Sequence, residues 1–380
     1  MKTFILASLI TSAALAHAVE PSKPATDSPP AQEKVQIALL LDTSNSMDGL
    51  IDQAKTQLWK MVNTFTDAKR DGKTPYVEVA LYEYGNNGLD IANNWIRQVE
   101  PFTRDLDEIS RELFALKTNG GDEYCGAVIR RALGDLAWDS SPKTYKAIFV
   151  AGNEPFTQGP VDARQACRDS ISKGIVVNTI HCGSRDEGIS GAWHDGAALG
   201  EGKFLIINQD KAVAHITAPQ DKEIAELGAK LNTTYLAYGT KAREGRAKQL
   251  EADAAAESNA ASGAANQRAI SKASASYSND AWDLVDAVKD GKKKLVEIPA
   301  AQLPDAMQKM SPAEREAHLA KITAERTALQ SKILELNKAR EAHVAAEVKK
   351  MSAANGGKTL DQALVETARA QAAAKGYKFE

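Results

Sequence analysis

Cysteine is scarce in this chain, its charge is balanced, and it has no long apolar run. Three cysteines in 380 residues exclude a small scaffold built on disulfides, and no CxxC or HxxxH spacing offers a zinc site. The formal net charge is -3 with both signs interspersed, so the basic face that a nucleic-acid partner requires is lacking. The apolar stretch Thr3 to Leu15 covers about 13 residues where a spanning helix needs about 20, so no transmembrane anchor is expected. A phosphate-cradling glycine loop and a GxSxG nucleophile turn are missing too.

What is present begins with an address. Met1-Lys2 is a short basic start, the apolar stretch follows, and Ala16-His17-Ala18 has the small-x-small pattern that a signal peptidase cuts. The expectation is a cleaved signal over residues 1–18, a mature chain from Val19, and a periplasmic or secreted location. Residues 19–33 are rich in Pro, Ser and Ala and read as a flexible spacer.

From Val35 to Gly239 strand-like and helix-like segments alternate. Val35 to Leu41 is a near-continuous apolar run, the mark of a strand buried on both faces of a parallel sheet. Leu50 to Ala68 has helical spacing, Val77 to Tyr84 alternates as a strand, and Trp95 to Val99 fits its hairpin partner. Helices over Leu106–Leu116, Cys125–Leu136, Val161–Lys173 and Lys222–Leu231 alternate with strands over Tyr145–Ala151, Ile175–Ile180 and Phe204–Ile207. The pattern predicts an α/β domain over residues 34–240, a doubly wound and mostly parallel sheet between helices. Residues 241–380 read as an α-helical extension. In it Ser311, Pro312 and Glu314 open one long helix. Leu319, Ile322, Leu329, Ile333 and Leu336 repeat along that helix as a candidate coiled-coil seam, interrupted by Arg326 and Arg340. Self-association through 311–351 and a helix folded back on its own chain both fit the seam.

The first buried strand ends in Asp42-Thr43-Ser44-Asn45-Ser46. Asp-x-Ser-x-Ser between such a strand and a helix brings one carboxylate and two hydroxyls to the carboxyl edge of the sheet, an oxygen set suited to a hard divalent cation. With the doubly wound succession around it, this segment resembles the metal-ion-dependent adhesion site of the von Willebrand factor A family, over roughly the middle half of the chain. Gly121-Asp122-Glu123-Tyr124-Cys125-Gly126 and Gly152-Asn153-Glu154-Pro155-Phe156 are similar to segments of exported bacterial proteins of that family.

The resemblance implies a six-stranded sheet with one antiparallel edge and a binding module rather than an enzyme. It also implies a divalent cation, magnesium first with manganese or calcium as alternatives, whose open coordination position takes an acidic side chain of a protein partner. The chain departs from the family in two loops. Asp122 follows Gly120-Gly121 where the family has Thr, with Thr118 as a second candidate and Glu123 alongside. Ala151-Gly152-Asn153 replaces Thr-Asp-Gly, leaving Asn153 or Glu154 to supply an oxygen. Without metal, Asp42, Ser44 and Ser46 make a helix cap and turn, and the domain is a scaffold for the helices.

In the inferred fold Cys125 and Cys182 come to one edge of the sheet as a disulfide candidate, with Cys167 left as a packed thiol. A thiol hydrolase, with Cys125 activated by His181 or His194, is the remaining alternative. Trp193, next to His194-Asp195-Gly196, stands in a segment read as a loop that either anchors a partner or packs.

Overall fold

Seven apolar positions in a row need burial on both sides, and the strand Lys34–Asp42 (β1) receives it at the middle of a six-stranded sheet. The computed structural model describes residues 33–47, 60–65, 67–207, 216–259, 263–289, 291–355 and 360–379. The signal, the spacer before Glu33 and the first turns of the Leu50–Ala68 helix lie outside the described residues.

Tyr76–Tyr84 (β2) runs parallel to β1 and pairs antiparallel with Ile96–Thr103 (β3), the hairpin expected from the alternation. Helices Leu106–Ala115 (α1) and Cys125–Asp135 (α2) lead to Tyr145–Gly152 (β4), which pairs with the other edge of β1. Ala163–Ser172 (α3), Val176–Cys182 (β5), the short helices Arg185–Ser190 (α4) and Trp193–Leu199 (α5), and Glu201–Ile207 (β6) complete the sheet. The spatial order is β3-β2-β1-β4-β5-β6, with β3 alone antiparallel. Parallel neighbours need crossovers, and the helices that provide them cover both faces. The doubly wound, mostly parallel six-stranded expectation is met.

Alternate residues of β1 enter two separate cores. Val35, Ile37, Leu39 and Leu41 face one side, and Ala38 and Leu40 the other, as a side-chain period of two requires. Local caps set where helices begin. Asp105 Oδ1 accepts from the Glu108 amide at 3.1 Å, Asp162 Oδ1 from the Gln165 amide at 3.1 Å, and Ser184 with Glu187 forms a capping box.

After Asp221–Leu231 (α6) the chain continues as Ala242–Ser258 (α7), Ala264–Ala273 (α8), Leu284–Lys289 (α9), the 44-residue helix Pro312–Asn355 (α10) and Leu360–Ala374 (α11). Of these, α6, α8, α10 and α11 share the sheet's core. Ile270, Tyr277, Trp282, Ile333, Leu364 and Tyr377 belong to the same buried cluster as Val35 and Ile37. The last residues return to the start of the domain. Tyr377 donates its hydroxyl hydrogen to the Lys34 carbonyl, and Lys378–Phe379 pairs with Ala68–Lys69.

The long helix begins at the expected cap, with the Ser311 amide donating to Glu314 Oε2 at 2.8 Å. Its apolar seam packs within the chain, the fold-back alternative of the two. Ile333 is buried in the main core with Leu329 and Leu336 against it, while Leu319 and Ile322 pack with Leu284 and Met307. Arg326 and Arg340, read as interruptions, fix the helix to its own domain. Arg326 Nη1 donates to Asp283 Oδ2 at 2.6 Å and to Asp286 Oδ1 at 2.9 Å, and Arg340 Nε donates to Asp221 Oδ1 at 2.7 Å.

Candidate metal centre

Three loops meet at the carboxyl end of β1. The Asn119 amide donates to the Thr43 carbonyl at 2.9 Å, and the Asn87 amide to the Gly120 carbonyl at 2.8 Å. Asn86 Nδ2 donates to the Lys117 carbonyl at 2.9 Å. Two glycines make the approach close enough. A Cβ on Gly121 would stand 2.6 Å from the Gly85 carbonyl oxygen, and one on Gly152 would stand 2.6 Å from the Tyr84 hydroxyl and 3.3 Å from Asp42 Cβ.

Asp42 is fully buried, with 0% exposure. Its Oδ1 accepts from the Ser44 amide at 2.7 Å, and the Ser44 side chain also hydrogen-bonds it. Among the described residues no donor reaches Oδ2. A second acid lies beside it: Glu123 is 4% exposed, hydrogen-bonds the Asp42 carboxyl, and accepts from the Glu154 amide through Oε2 at 3.3 Å. Burial first, then the hydrogen bond and charge of the Glu123 carboxyl, push the Asp42 pKa well above the usual carboxylate range. Gly85 gives both acids room. At φ +77° it carries no Cβ, and a Cβ there would lie 2.8 Å from both Asp42 Oδ1 and Glu123 Cγ. A buried carboxyl group with an unpartnered oxygen and a second carboxyl beside it accepts a proton or a cation, so the donor set fits a hard divalent ion.

The expected ligands divide. Asp42 and Ser44 lie in the pocket, and Thr118 and Asn153 are half-buried on loops that reach it. The Ser46 side chain lies outside the described residues. Asp122 is exposed, with Tyr124 Oη donating to its Oδ2 at 3.5 Å, while its neighbour Glu123 turns inward. The Glu154 side chain is also exposed, and only its backbone enters: the amide contacts Glu123, and the carbonyl accepts from Trp193 Nε1 at 2.8 Å. The pattern Gly120-Gly121-Asp122 pointed to the first acid after the glycines. Buried Gly85 and Tyr84, which shape the pocket, carried no motif signal beyond closing an alternating strand.

The cysteines require a correction. All three are buried thiols. Cys125 belongs to the core with Ala38 and Leu40, and Cys182 to the core with Leu39 and Leu41, so the sheet itself separates them. Sharing an edge of the sheet does not mean sharing a face. The hydrolase alternative gains no support either. Cys125 Sγ lies 3.4 Å from the Tyr84 hydroxyl, and burial pushes its pKa far up, away from a reactive thiolate. Trp193 opens helix α5 rather than a loop and is fully buried, its ring packed on Phe156 and His181. It cannot anchor a partner from there.

Among the described residues no helix is long and apolar enough to cross a membrane. No protein-family model matches the chain and no curated protein matches it. Solved structures do. The conserved hypothetical protein BatB from Bacteroides thetaiotaomicron is 16% identical over 46% of this chain and 90% of its own, at a TM-score of 0.35. The SpRpn10 VWA domain is 16% identical over 47% of this chain and 88% of its own, at 0.35. Proximal thread matrix protein 1 from the mussel byssus, with a zinc-occupied MIDAS motif, is 14% identical over 47% of this chain and 43% of its own, at 0.36. By its own strand order, its antiparallel edge strand and the Asp42 loop that ends its first strand, the chain from Lys34 to Leu231 has the α/β fold of a von Willebrand factor A domain.

Proposed function

We propose that this chain is an exported protein-interaction module that meets its partner at a divalent cation held on the carboxyl edge of the sheet. The observation that carries this reading is Asp42 Oδ2, a fully buried carboxylate oxygen that no donor among the described residues reaches. A hard ion supplies the positive charge that the oxygen lacks. Asp42 and the Ser44 hydroxyl are ligands, with Ser46, Thr118 and Asn153 as further oxygen donors. Magnesium is the first choice, and manganese or calcium are the alternatives. The partner contributes an acidic side chain at the open position, as the family resemblance implies. Export rests on the basic start, the apolar stretch and Ala16-His17-Ala18.

The second reading is a metal-free scaffold in which Asp42 and Glu123 share a proton and the domain only carries its helices. Calorimetry with magnesium, manganese and calcium on the wild type and Asp42→Ala separates the two. The expected result is binding by the wild type and none by Asp42→Ala, with an unchanged circular dichroism spectrum. Retention of the partner from envelope extract should then be lost on adding a chelator. A wild type that binds none of the ions at millimolar concentration leaves the scaffold reading in its place.

A further inference from the structure

Two carboxyl groups reach the Asp42 pocket, and the second comes from Glu123 rather than from Asp122, the first acid after the glycines. Glu123 is 4% exposed, whereas Asp122 is exposed and turned toward Tyr124. Glu123 Cγ and Asp42 Oδ1 lie at the same 2.8 Å from the point where a Gly85 Cβ would stand, so the missing methyl brings the two acids over one spot. Among the described residues, the Ser44 amide and side chain serve Asp42, the Glu154 amide serves Glu123 Oε2, and no donor reaches Asp42 Oδ2. Two buried carboxyl groups this close cannot both carry charge unless a cation comes between them. Hard-cation sites draw their affinity from the number of carboxylates they present.

Resting on the cation reading above, we infer that Glu123 is the second carboxylate ligand, so that this chain neutralises a divalent ion by itself before any partner arrives. Ion binding then needs no partner. The exposed Asp122 contributes nothing to it, and the loop substitution that removed the family's Thr moved a charged ligand to the next position.

The test uses the full mature chain and the ions alone, by calorimetry, together with thermal melting in excess chelator. Glu123→Gln should weaken binding roughly tenfold or more, since even groups one step removed from a metal cost that much. In chelator the same variant should melt no lower than the wild type, because the new amide can donate to the Asp42 carboxylate in place of the shared proton. Glu123→Asp should keep more affinity than Glu123→Gln, and Asp122→Ala should match the wild type in both measurements. The inference is overturned if Glu123→Gln binds ions as the wild type does, or if Asp122→Ala takes the loss. A Glu123→Gln chain that melts lower in chelator, or does not fold, makes Glu123 a structural support and overturns it as well. A wild type that binds no ion removes the cation reading itself, a result distinct from each of these.

Discussion

Lys272 shows how far a single residue can depart from its composition class. It is 2% exposed, and its Nζ donates to Asn232 Oδ1 at 2.7 Å and to both Asp253 oxygens at 2.9 and 3.0 Å. Burial first, then the Arg268 guanidinium, push its pKa down to about 8 in spite of Asp253. The sign follows from linkage. Above pH 8 the folded chain gives up this proton while the unfolded chain keeps it until its ordinary value near 10.5, so this group raises stability as pH rises through that window. The slope from one such group is at most about 1.4 kcal/mol per pH unit. Thermal melts between pH 7.5 and 9.5 should therefore show the wild type gaining on Lys272→Met, and parallel curves would reject the depressed pKa. Nothing in the Ala- and Ser-rich sequence around position 272 announces a buried lysine. Its burial comes from small neighbours, such as Gly228 on α6, where an added Cβ would stand 2.7 Å from Ala269 Cβ on α8.

At the scale of an element, α10 is the case where a correct local reading gave two partners and packing chose one. Its cap, its first proline and its apolar spacing were all legible. Whether the apolar stripe met another copy or its own domain depended on Asp221, Asp283 and Asp286, which lie 119, 43 and 40 residues away from their arginines in sequence. Arg326 also lies over the Tyr235 ring, 4.2 Å from its centroid. Removing one member of a buried ion pair leaves an uncompensated charge and costs about 3–5 kcal/mol. Arg326→Leu should lower stability by about that amount in urea titrations. The triple change Arg326→Leu, Asp283→Asn, Asp286→Asn should recover part of it. A single variant as stable as the wild type would mean the pairing contributes nothing to docking α10.

For the whole molecule, residues 34–240 and 241–380 differ in composition yet form one compact unit with one shared core face. A chain ended after Gly239 loses Ile270, Tyr277, Trp282, Ile333, Leu364 and Tyr377 from that face. Full burial of one such side chain contributes about 1.5–3 kcal/mol, and six together rival the whole net stability of a domain, about 5–15 kcal/mol. The shortened chain should be insoluble or lack a cooperative melt, as judged by near-ultraviolet circular dichroism and calorimetry. A soluble, cooperatively melting fragment would show instead that residues 34–239 fold alone.

The alternation of strands and helices, the antiparallel hairpin and the Asp42 loop were fixed by local pattern. A strand buried on both faces must be apolar throughout, a parallel neighbour needs a crossover, and a DxSxS segment at the end of such a strand has its oxygens on one edge. Tertiary structure alone decided the rest. It turned Glu123 inward and Asp122 outward, because the contact of Gly121 with the Gly85 carbonyl sets the path of that loop. It put Cys125 and Cys182 on opposite faces of the sheet, and it closed the seam of α10 within the chain. Each outcome depends on which side of a sheet or helix a side chain meets across a long stretch of sequence, and residue spacing along the chain does not encode that.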